Sequence, residues 1–423
     1  MKPLSNMTRD ELNSFYRETL AQYQACKEKG LKLDMSRGKP ARDQLDLSNE
    51  LLSMPAPEQC NVNGTDARNY GVMDGLPACR ALFAEILGVE ADEVFAAGSA
   101  SLSLMYDTIA KAYTHGLLHS PAPWAKLEKV KFLCPVPGYD RHFTICQSFG
   151  MEMINVPMTA NGPDMDEVER LAADPAVKGM WCVPKYSNPE GVIYSAETIA
   201  RIAALKPAAP DFVVMWDNAY CVHEFEGEYV PFPDILTACR NAGNPDMVFE
   251  FASTSKITFP GAGVACFACS KANMAYMKKL LNAQVISYDK LNQLRHVLFL
   301  KNKQGVIEHM KKHAAIMQPK FATVLKALDC DIAPLEIASY HRPKGGYFIS
   351  LNVMDGCAKR VHALMKEAGV VMTGAGATFP YGIDPNDRNL RIAPSLPPIG
   401  ELEQAVEVLC VCIKLAAAEK LLG

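Results

Sequence analysis

Short apolar runs recur along the first two thirds of the chain, each followed by a turn and then by a segment with helical spacing. Short apolar strands separated by helical spacers are typical of a mainly parallel sheet with helices on both faces. The pattern therefore predicts an α/β fold, in which ligands bind at the carboxyl ends of the strands. The runs that we interpret as strands are residues 94–97, 130–134, 151–156, 180–183, 212–216 and 247–251.

The two ends of the chain have a different pattern. Thr8 and Glu11 have the spacing of a capping box, which predicts the start of an N-terminal helix. A long helical region is predicted from about residue 288 to 328, then a strand at 347–351 and a final helix after Gly400. We expect this C-terminal part to fold together with the N-terminal helix.

The length of the chain points to two domains. With 423 residues it exceeds what a single compact core usually holds, so one large and one smaller domain are expected. The predicted boundaries are an N-terminal arm with part of the small domain at 1–50, a large domain at 51–300 and a C-terminal small domain at 301–423.

Charge and hydropathy exclude several classes of protein. Lys and Arg total 43 against 47 Asp and Glu, a formal net charge of −4, and no dense basic stripe occurs, so no nucleic-acid partner is expected. The chain begins without an apolar signal core and contains no apolar stretch of membrane-spanning length, so no membrane association is expected. We therefore expect a cytoplasmic protein.

The cysteines do not predict a disulfide framework or a metal site. The 14 cysteines are dispersed, mostly inside apolar segments, which is typical of reduced and buried thiols. Cys266 and Cys269 form the one C-x-x-C, in a strand-like setting that would point the two sulfur atoms to opposite faces. No metal is therefore expected.

Two residues at predicted strand ends carry the main chemical hypothesis. Asp217 ends one apolar run, and Lys256 closes a Ser-Thr-Ser-Lys turn just after another. A lysine amine can form a Schiff base with the aldehyde of pyridoxal 5'-phosphate (PLP), and a carboxylate beside the pyridine nitrogen keeps that nitrogen protonated. Taken singly, each residue is more often part of an ordinary turn or a helix cap than of such a site.

A third strand end has the character of an anion site. Gly98, Ser99, Ala100 and Ser101 lead from a predicted strand through a glycine turn into a helix. Free backbone amides and the positive end of the helix dipole would suit a phosphate there, helped by the two hydroxyl groups. The alternative is that these serines only cap the helix.

Four further residues could complete a site of this kind. Asn188 and Tyr220 follow strands and could each donate a hydrogen bond to a phenolate oxygen, although both also suit ordinary turns. Tyr139 offers an aromatic face on which a pyridine ring could stack, or it could be a core residue. Arg391 lies in an otherwise apolar strand and needs an anionic partner, either a structural carboxylate or the α-carboxylate of a substrate.

In chain order, these features resemble the fold type I PLP-dependent enzymes, and specifically the class I aminotransferases. The resemblance spans most of the chain, and three blocks match in both sequence and spacing: residues 188–191, 217–220 and 253–256. Residues 36–40, 137–142 and 343–348 resemble the bacterial aspartate aminotransferase subgroup often called Ic. The resemblance implies a large domain with a mainly parallel seven-stranded sheet flanked by helices, and a smaller α+β domain.

The resemblance also implies a role for each residue of the site. Lys256 would hold PLP as an internal imine and move a proton between substrate Cα and cofactor C4'. Asp217 would pair with the pyridinium nitrogen, Tyr220 and Asn188 with the phenolate oxygen, and Tyr139 would stack on the ring. The phosphate would be held by Gly98, Ser99, Ala100, Ser101 and Ser253. Tyr70 would reach that phosphate from the other subunit of an obligatory homodimer with shared active sites.

The sequence departs from the family pattern at one position. The family usually has an arginine seven or eight residues after the lysine, which neutralises the phosphate, whereas residues 260–264 here are Pro-Gly-Ala-Gly-Val. Another cation, or hydroxyl and amide groups, would have to take its place. A dicarboxylic substrate also needs a cation for its distal carboxylate, for which Arg37 beside Gly38, Lys39 and Arg141 are candidates, unless they are solvated surface charges.

We therefore predict a dimeric PLP-dependent aminotransferase that uses small amino acids and 2-oxo acids, with aspartate and 2-oxoglutarate preferred, by a ping-pong mechanism. An aromatic or alanine aminotransferase, or a β-lyase, would use the same cofactor-binding residues. A PLP-sensing regulator is disfavoured because only about thirty residues precede the Arg37 loop, too few for a winged DNA-binding module. A structural relative without cofactor would have little reason to keep this set of residues.

Overall fold

A computed structural model describes residues 2–423 of the chain. Its α-helices are α1 (Arg9–Glu28), α2 (Arg42–Asp46), α3 (Pro77–Leu87), α4 (Ser101–Thr114), α5 (Asp140–Ser148), α6 (Met165–Ala172), α7 (Ala196–Ala203), α8 (Ile235–Asn241), α9 (Lys271–Leu281), α10 (Lys290–Leu300), α11 (Lys303–Asp331), α12 (Ala358–Glu367) and α13 (Ile399–Leu422). Its strands are β1 (Leu33–Asp34), β2 (Asn61–Val62), β3 (Thr65–Asp66), β4 (Val94–Ala96), β5 (Lys131–Val136), β6 (Glu152–Thr159), β7 (Gly162–Pro163), β8 (Val177–Cys182), β9 (Val213–Asp217), β10 (Val248–Ser253), β11 (Ala265–Cys269), β12 (Ala338–Tyr340), β13 (Ile349–Val353), β14 (Val370–Val371) and β15 (Asn389–Ile392).

The central sheet has the strand order β4-β11-β10-β9-β8-β5-β6-β7. Neighbouring strands from β10 through β9, β8 and β5 to β6 are parallel, whereas β11 runs antiparallel to both β10 and β4. The predicted α/β class and mainly parallel sheet are confirmed. The sheet has eight strands rather than the predicted seven, because the two-residue β7 pairs antiparallel with β6 and forms the edge of the sheet.

The strands of the sheet are apolar because both of its faces are covered. Every residue of β8, β9 and β11 is buried, as expected for strands with helices on both sides. Cys266 and Cys269 of β11 lie in hydrophobic clusters on opposite faces, as predicted from their spacing. All the cysteines except Cys330 are buried.

The ends of the chain share a second core. α1 packs against α13, and both contribute to one hydrophobic cluster with α12 and the three-stranded antiparallel sheet β12-β13-β15. The predicted capping box is present, since the Thr8 hydroxyl accepts from the Glu11 amide and the Glu11 carboxylate accepts from the Thr8 amide. The expected association of the N-terminal helix with the C-terminal part is thus observed.

The long helical region predicted at 288–328 is two helices. α10 ends at Leu300, and Lys301 has a positive φ of 66° before Asn302 caps α11 by accepting from the Gly305 amide. α11 then continues from the core of the sheet, at Val306, to the core of the C-terminal part. The boundaries predicted at residues 50 and 300 stay a prediction. No helix within residues 2–423 has both the length and the apolar character needed to traverse a bilayer.

A carboxyl group is buried within the sheet, on the face opposite to Asp217. Glu250 of β10 pairs with Trp216 of β9 and is 2% exposed. Its Oε1 accepts a hydrogen bond from Asn218 at 2.9 Å, and its Oε2 has no partner within residues 2–423. Burial raises the pKa of Glu250 from 4.5 to about 8, so the side chain is mainly protonated at neutral pH.

We predict that Glu250→Gln makes the stability of the protein less dependent on pH. Because the pKa in the folded protein lies above its unfolded value, the stability contributed by the protonated acid is present below pH 4.5 and is lost as the pH rises toward 8. The full effect is on the order of 5 kcal/mol. The Tm of the wild type should therefore fall by about 5 °C more than that of the variant between pH 5 and pH 8. Parallel Tm profiles would contradict this, and Glu18→Gln, at an exposed position on α1, is the control.

Candidate functional site

A cavity of about 630 Å³ opens at the carboxyl ends of the parallel strands. This volume suits a cofactor together with a small substrate. The loops after β4, β5, β8, β9 and β10 form one side, and the N-terminal segment, β15 and the segment after β14 form the other. Its lining includes the predicted residues Arg37, Gly38, Ala100, Ser101, Tyr139, Arg141, Asn188, Asp217, Tyr220, Ser253, Lys256 and Arg391.

A larger groove of about 760 Å³ lies elsewhere, between α1, α11 and α13. Two of its lining lysines are already neutralised, Lys29 by Glu407 at 3.0 Å and Lys414 by Asp331 at 3.2 Å. The polar residues at the ends of the sheet strands do not line this groove. The cavity at the strand ends is therefore the candidate site, although it is the smaller of the two.

Lys256 lies in the cavity on the turn that follows β10. Its Nζ is 4.8 Å from the centroid of the Tyr220 ring and 5.8 Å from that of Tyr347. Burial lowers the pKa of the Lys256 ammonium group, and the carboxylate of Asp217 partly offsets this effect. A lowered pKa increases the fraction of free amine, which is the form that reacts with an aldehyde.

Asp217 ends β9 and is 3% exposed. Its Oδ2 accepts a hydrogen bond from His142 Nε2 at 3.0 Å, whereas its Oδ1 is buried without a partner within residues 2–423. A buried carboxylate oxygen without a partner is costly, and a protonated ring nitrogen in the cavity would satisfy it. This oxygen fits the pyridinium of PLP.

His142 was missed as a site residue by the sequence reasoning. It lies on the first turn of α5, three residues after Tyr139, and stacks on Trp181 with ring centroids 4.3 Å apart and planes at 8°. This stacking holds the imidazole in place beside the carboxylate of Asp217. The helical spacing from Tyr139 was the one signal in the sequence, but the contact with Asp217 depends on how α5 packs against the sheet.

The two predicted tyrosines of the cavity are held as neutral phenols. Burial, with nearby Asp217, raises the pKa of Tyr139 to about 12. Burial and the neighbouring groups Tyr139 and Asp217 raise the pKa of Tyr220 well above its usual value. A neutral phenol can donate a hydrogen bond, which is the role expected of Tyr220 toward the phenolate oxygen.

Arg391 enters the cavity from β15 and is 7% exposed. Its Nη1 donates to Asp140 at 2.8 Å and to Asn188 Oδ1 at 3.3 Å, and its guanidinium carbon is 4.8 Å from the centroid of the Phe348 ring. Gly38 lies against this ring, because a Cβ on Gly38 would come within 2.3 Å of Phe348 Cζ. The arginine is therefore held in a defined position from several sides.

Of the residues predicted to hold the phosphate, some line the cavity and others do not. Ala100 precedes α4 without a side-chain cap, which leaves the first amides of the helix available, and Ala100, Ser101, Ser253 and Ser255 line the cavity. Ser255 was not predicted. Gly98 and Ser99 do not line the cavity, and their carbonyl oxygens accept from the Ala265 amide and the Ser255 hydroxyl.

Tyr70 does not reach this cavity within its own chain. Its side chain is 79% exposed, and the residue is absent from the cavity wall. The position of the family arginine is filled by Val264, which is 1% exposed and whose amide donates to the Thr254 hydroxyl at 2.9 Å. That segment therefore contributes no cation to the cavity.

Comparison with known proteins identifies the family. Residues 7–423 match the family model described as aspartate amino-transferase. The chain is 46% identical, over 417 residues, to an aspartate aminotransferase of Corynebacterium glutamicum, with 98% of this chain and 96% of the relative covered. A crystal structure of an aspartate transaminase from Corynebacterium glutamicum superposes with a TM-score of 0.97 at 45% identity, over 99% of both chains.

A more distant structure shows the same fold. It is the α-aminoadipate aminotransferase of Thermus thermophilus complexed with N-(5'-phosphopyridoxyl)-L-leucine, with a TM-score of 0.75 at 23% identity, covering 96% of this chain and 98% of that one. The partnerless oxygen of Asp217, the lowered pKa of Lys256 and the uncapped start of α4 fit the cofactor of this fold. The chain belongs to the aspartate aminotransferase family, the class I PLP-dependent aminotransferases of fold type I.

Proposed function

We propose that this aminotransferase moves an amino group between aspartate and 2-oxoglutarate. The supporting observation is a set of cations at the cavity: Arg37, Lys39 and Arg141 line it, and none has a carboxylate partner within 4.0 Å in the described part of the chain. Cations without partners favour substrates that carry a second carboxylate. The relative that is 46% identical is named an aspartate aminotransferase, which agrees with this choice.

We infer the following division of roles among the residues of the cavity. PLP, when bound, supplies an aldehyde carbon that condenses with amines and a ring that accepts electrons. Lys256 Nζ holds the cofactor and afterwards moves a proton at substrate Cα, for which its lowered pKa is suited. Asp217 keeps the ring nitrogen protonated, and Tyr220 and Asn188 donate to the phenolate oxygen. Tyr139 stacks on the ring.

The phosphate is proposed to bind at the start of α4. The amides that follow Ala100 and the hydroxyl groups of Ser101 and Ser253 point to an anion site without an arginine. Ser255, whose hydroxyl is 3.0 Å from that of Ser253, adds a further hydroxyl. Arg391 is proposed to bind the α-carboxylate, because a guanidinium offers two parallel N–H arms to a carboxylate.

We also propose that the enzyme is a cytoplasmic homodimer. Buried cysteines without disulfide bonds among the described residues are typical of a reducing compartment. Tyr70, Leu52 and Ile286 are large apolar side chains that are each more than 60% exposed, which suits burial against a second subunit. In such a dimer Tyr70 would reach the phosphate site of the partner.

The first prediction from the proposed function concerns Lys256. Lys256→Ala should lower transamination by about 10⁴-fold, because the variant lacks both the amine that holds the cofactor and the group that moves the proton. Borohydride treatment of the wild type followed by peptide mapping should place the cofactor label on Lys256. Label on another residue would overturn the assignment. Lys271→Ala, at a surface lysine paired with Asp92, is the control.

A second prediction concerns the substrate. In a half-reaction screen that follows the absorbance of the cofactor, aspartate and glutamate should react with a KM about 100-fold below that of alanine, since one additional ion pair separates them. Arg37→Gln or Arg141→Gln should remove this preference without changing the reaction of alanine. Equal reaction of aspartate, alanine and aromatic amino acids would refute the dicarboxylate specificity and favour the other aminotransferases or a β-lyase.

A third prediction tests the shared site. Tyr70→Ala and Lys256→Ala homodimers should each be nearly inactive, whereas unfolding and refolding an equal mixture should restore about a quarter of the wild-type activity. Only the hybrid dimer has one site with both Tyr70 and Lys256. If Tyr70 acts within its own subunit, the mixture stays inactive.

A further inference from the structure

An acidic side chain lies inside the cavity against the arginine that is proposed to bind substrate. Asp140 lines the cavity, and its Oδ1 accepts from Arg391 Nη1 at 2.8 Å. The two residues are 251 positions apart in sequence and come from α5 and β15. A carboxylate therefore already occupies part of the guanidinium that a substrate α-carboxylate would have to engage.

The two side chains of this ion pair differ in how deeply they are buried and how firmly they are held. The side chain of Arg391 is 8% exposed, whereas that of Asp140 is 34% exposed. Arg391 is held by Asn188 and by the face of Phe348. The side chain of Asp140, in contrast, has this arginine as its only hydrogen-bond partner within residues 2–423. Asp140 is thus the partner that can move.

Asp140 also keeps a favourable position when it leaves the arginine. It is the first residue of α5, and Tyr139 before it gives the helix no side-chain cap. A carboxylate at a helix start is stabilised by the free amides and by the dipole, and here it would also be partly in water. The cost of breaking the pair is therefore smaller for Asp140 than it would be for a fully buried carboxylate.

The ion pair leaves part of the guanidinium unused. Asp140 and Asn188 both contact Nη1, and the buried Nε of Arg391 has no partner in the described residues. The contact with Asp140 is thus through one nitrogen only. A substrate carboxylate that engages two N–H arms would form a stronger pair and could replace Asp140.

We propose that Asp140 is a placeholder carboxylate that neutralises Arg391 in the empty site and yields it to the α-carboxylate of the substrate. This inference rests on the proposed role of Arg391. Without Asp140 the empty site would contain a nearly buried cation without a carboxylate partner, which is destabilising. With Asp140, each substrate must displace an internal competitor. Asp140 is thereby a positioning residue that sets affinity, and it takes no part in the proton transfer.

The proposal predicts two effects of opposite sign for Asp140→Asn in the holoenzyme. Removal of the competitor should lower the Kd of succinate, a dicarboxylate that cannot react, by about tenfold in calorimetric titration. The same variant should lower the Tm of the ligand-free holoenzyme by about 2–3 °C, because Arg391 loses its partner. Asp140→Glu, which keeps the carboxylate, should return both quantities toward the wild type.

Two further variants distinguish a failure of the Asp140 proposal from a failure of the proposed role of Arg391. Asp174→Asn removes a partly exposed carboxylate that pairs with Lys131 at 2.7 Å outside the cavity, and it should leave the Kd of succinate unchanged. Arg391→Lys should raise this Kd if Arg391 binds a carboxylate of the ligand. If Arg391→Lys raises the Kd but Asp140→Asn raises it or leaves it unchanged, the placeholder is wrong and the role of Arg391 stands. If neither variant changes the Kd, the proposed role of Arg391 fails as well.

Discussion

The site depends on a buried carboxylate that is only half satisfied by the protein. Asp217 is 3% exposed, and His142 satisfies one of its oxygens while the other has no partner within residues 2–423. Such an arrangement costs stability unless a cation or donor completes it. The stacking of His142 on Trp181 holds the imidazole against Oδ2, so that Oδ1 is the oxygen to which a further donor can bind. In the role that we propose for Asp217, a protonated pyridine ring would be the partner of this oxygen.

The parallel sheet explains why the other residues meet near this carboxylate. The strands β8, β9 and β10 are adjacent and parallel, so Asn188, Asp217 and Lys256, which follow or end them, lie at one edge. The small antiparallel sheet contributes Arg391 from the opposite side. These three residues, which we propose to bind the cofactor, thus end or follow strands of the large-sheet core, whereas the proposed contact with the substrate carboxylate comes from β15 in the C-terminal core. Any movement between the two cores would change the distance of Arg391 from Lys256.

The sequence predicts those features that depend on local pattern. The apolar runs give the strands of the sheet to within a few residues, and the strand-end positions of Lys256, Asp217 and Tyr220 follow from them. The resemblance to a family adds Tyr70 and the roles of the residues. Features that arise from packing at long range could not be predicted in this way. The two-residue β7, the stacking of His142 and the ion pair between Asp140 and Arg391 all depend on how distant segments meet.

Cations predominate at the cavity, although the chain as a whole has a negative net charge. The protein has a formal net charge of −4, yet Arg37, Lys39 and Arg141 line the cavity without carboxylate partners in the described residues. Isolated surface lysines and arginines need no explanation, but three that converge on one cavity create a local positive potential that attracts dianions. Arg391 differs from these three because it is buried and already paired. The mouth of the cavity is therefore suited to attract a dicarboxylate from solution, whereas Arg391, the proposed site of the α-carboxylate, is already paired with Asp140 in the interior.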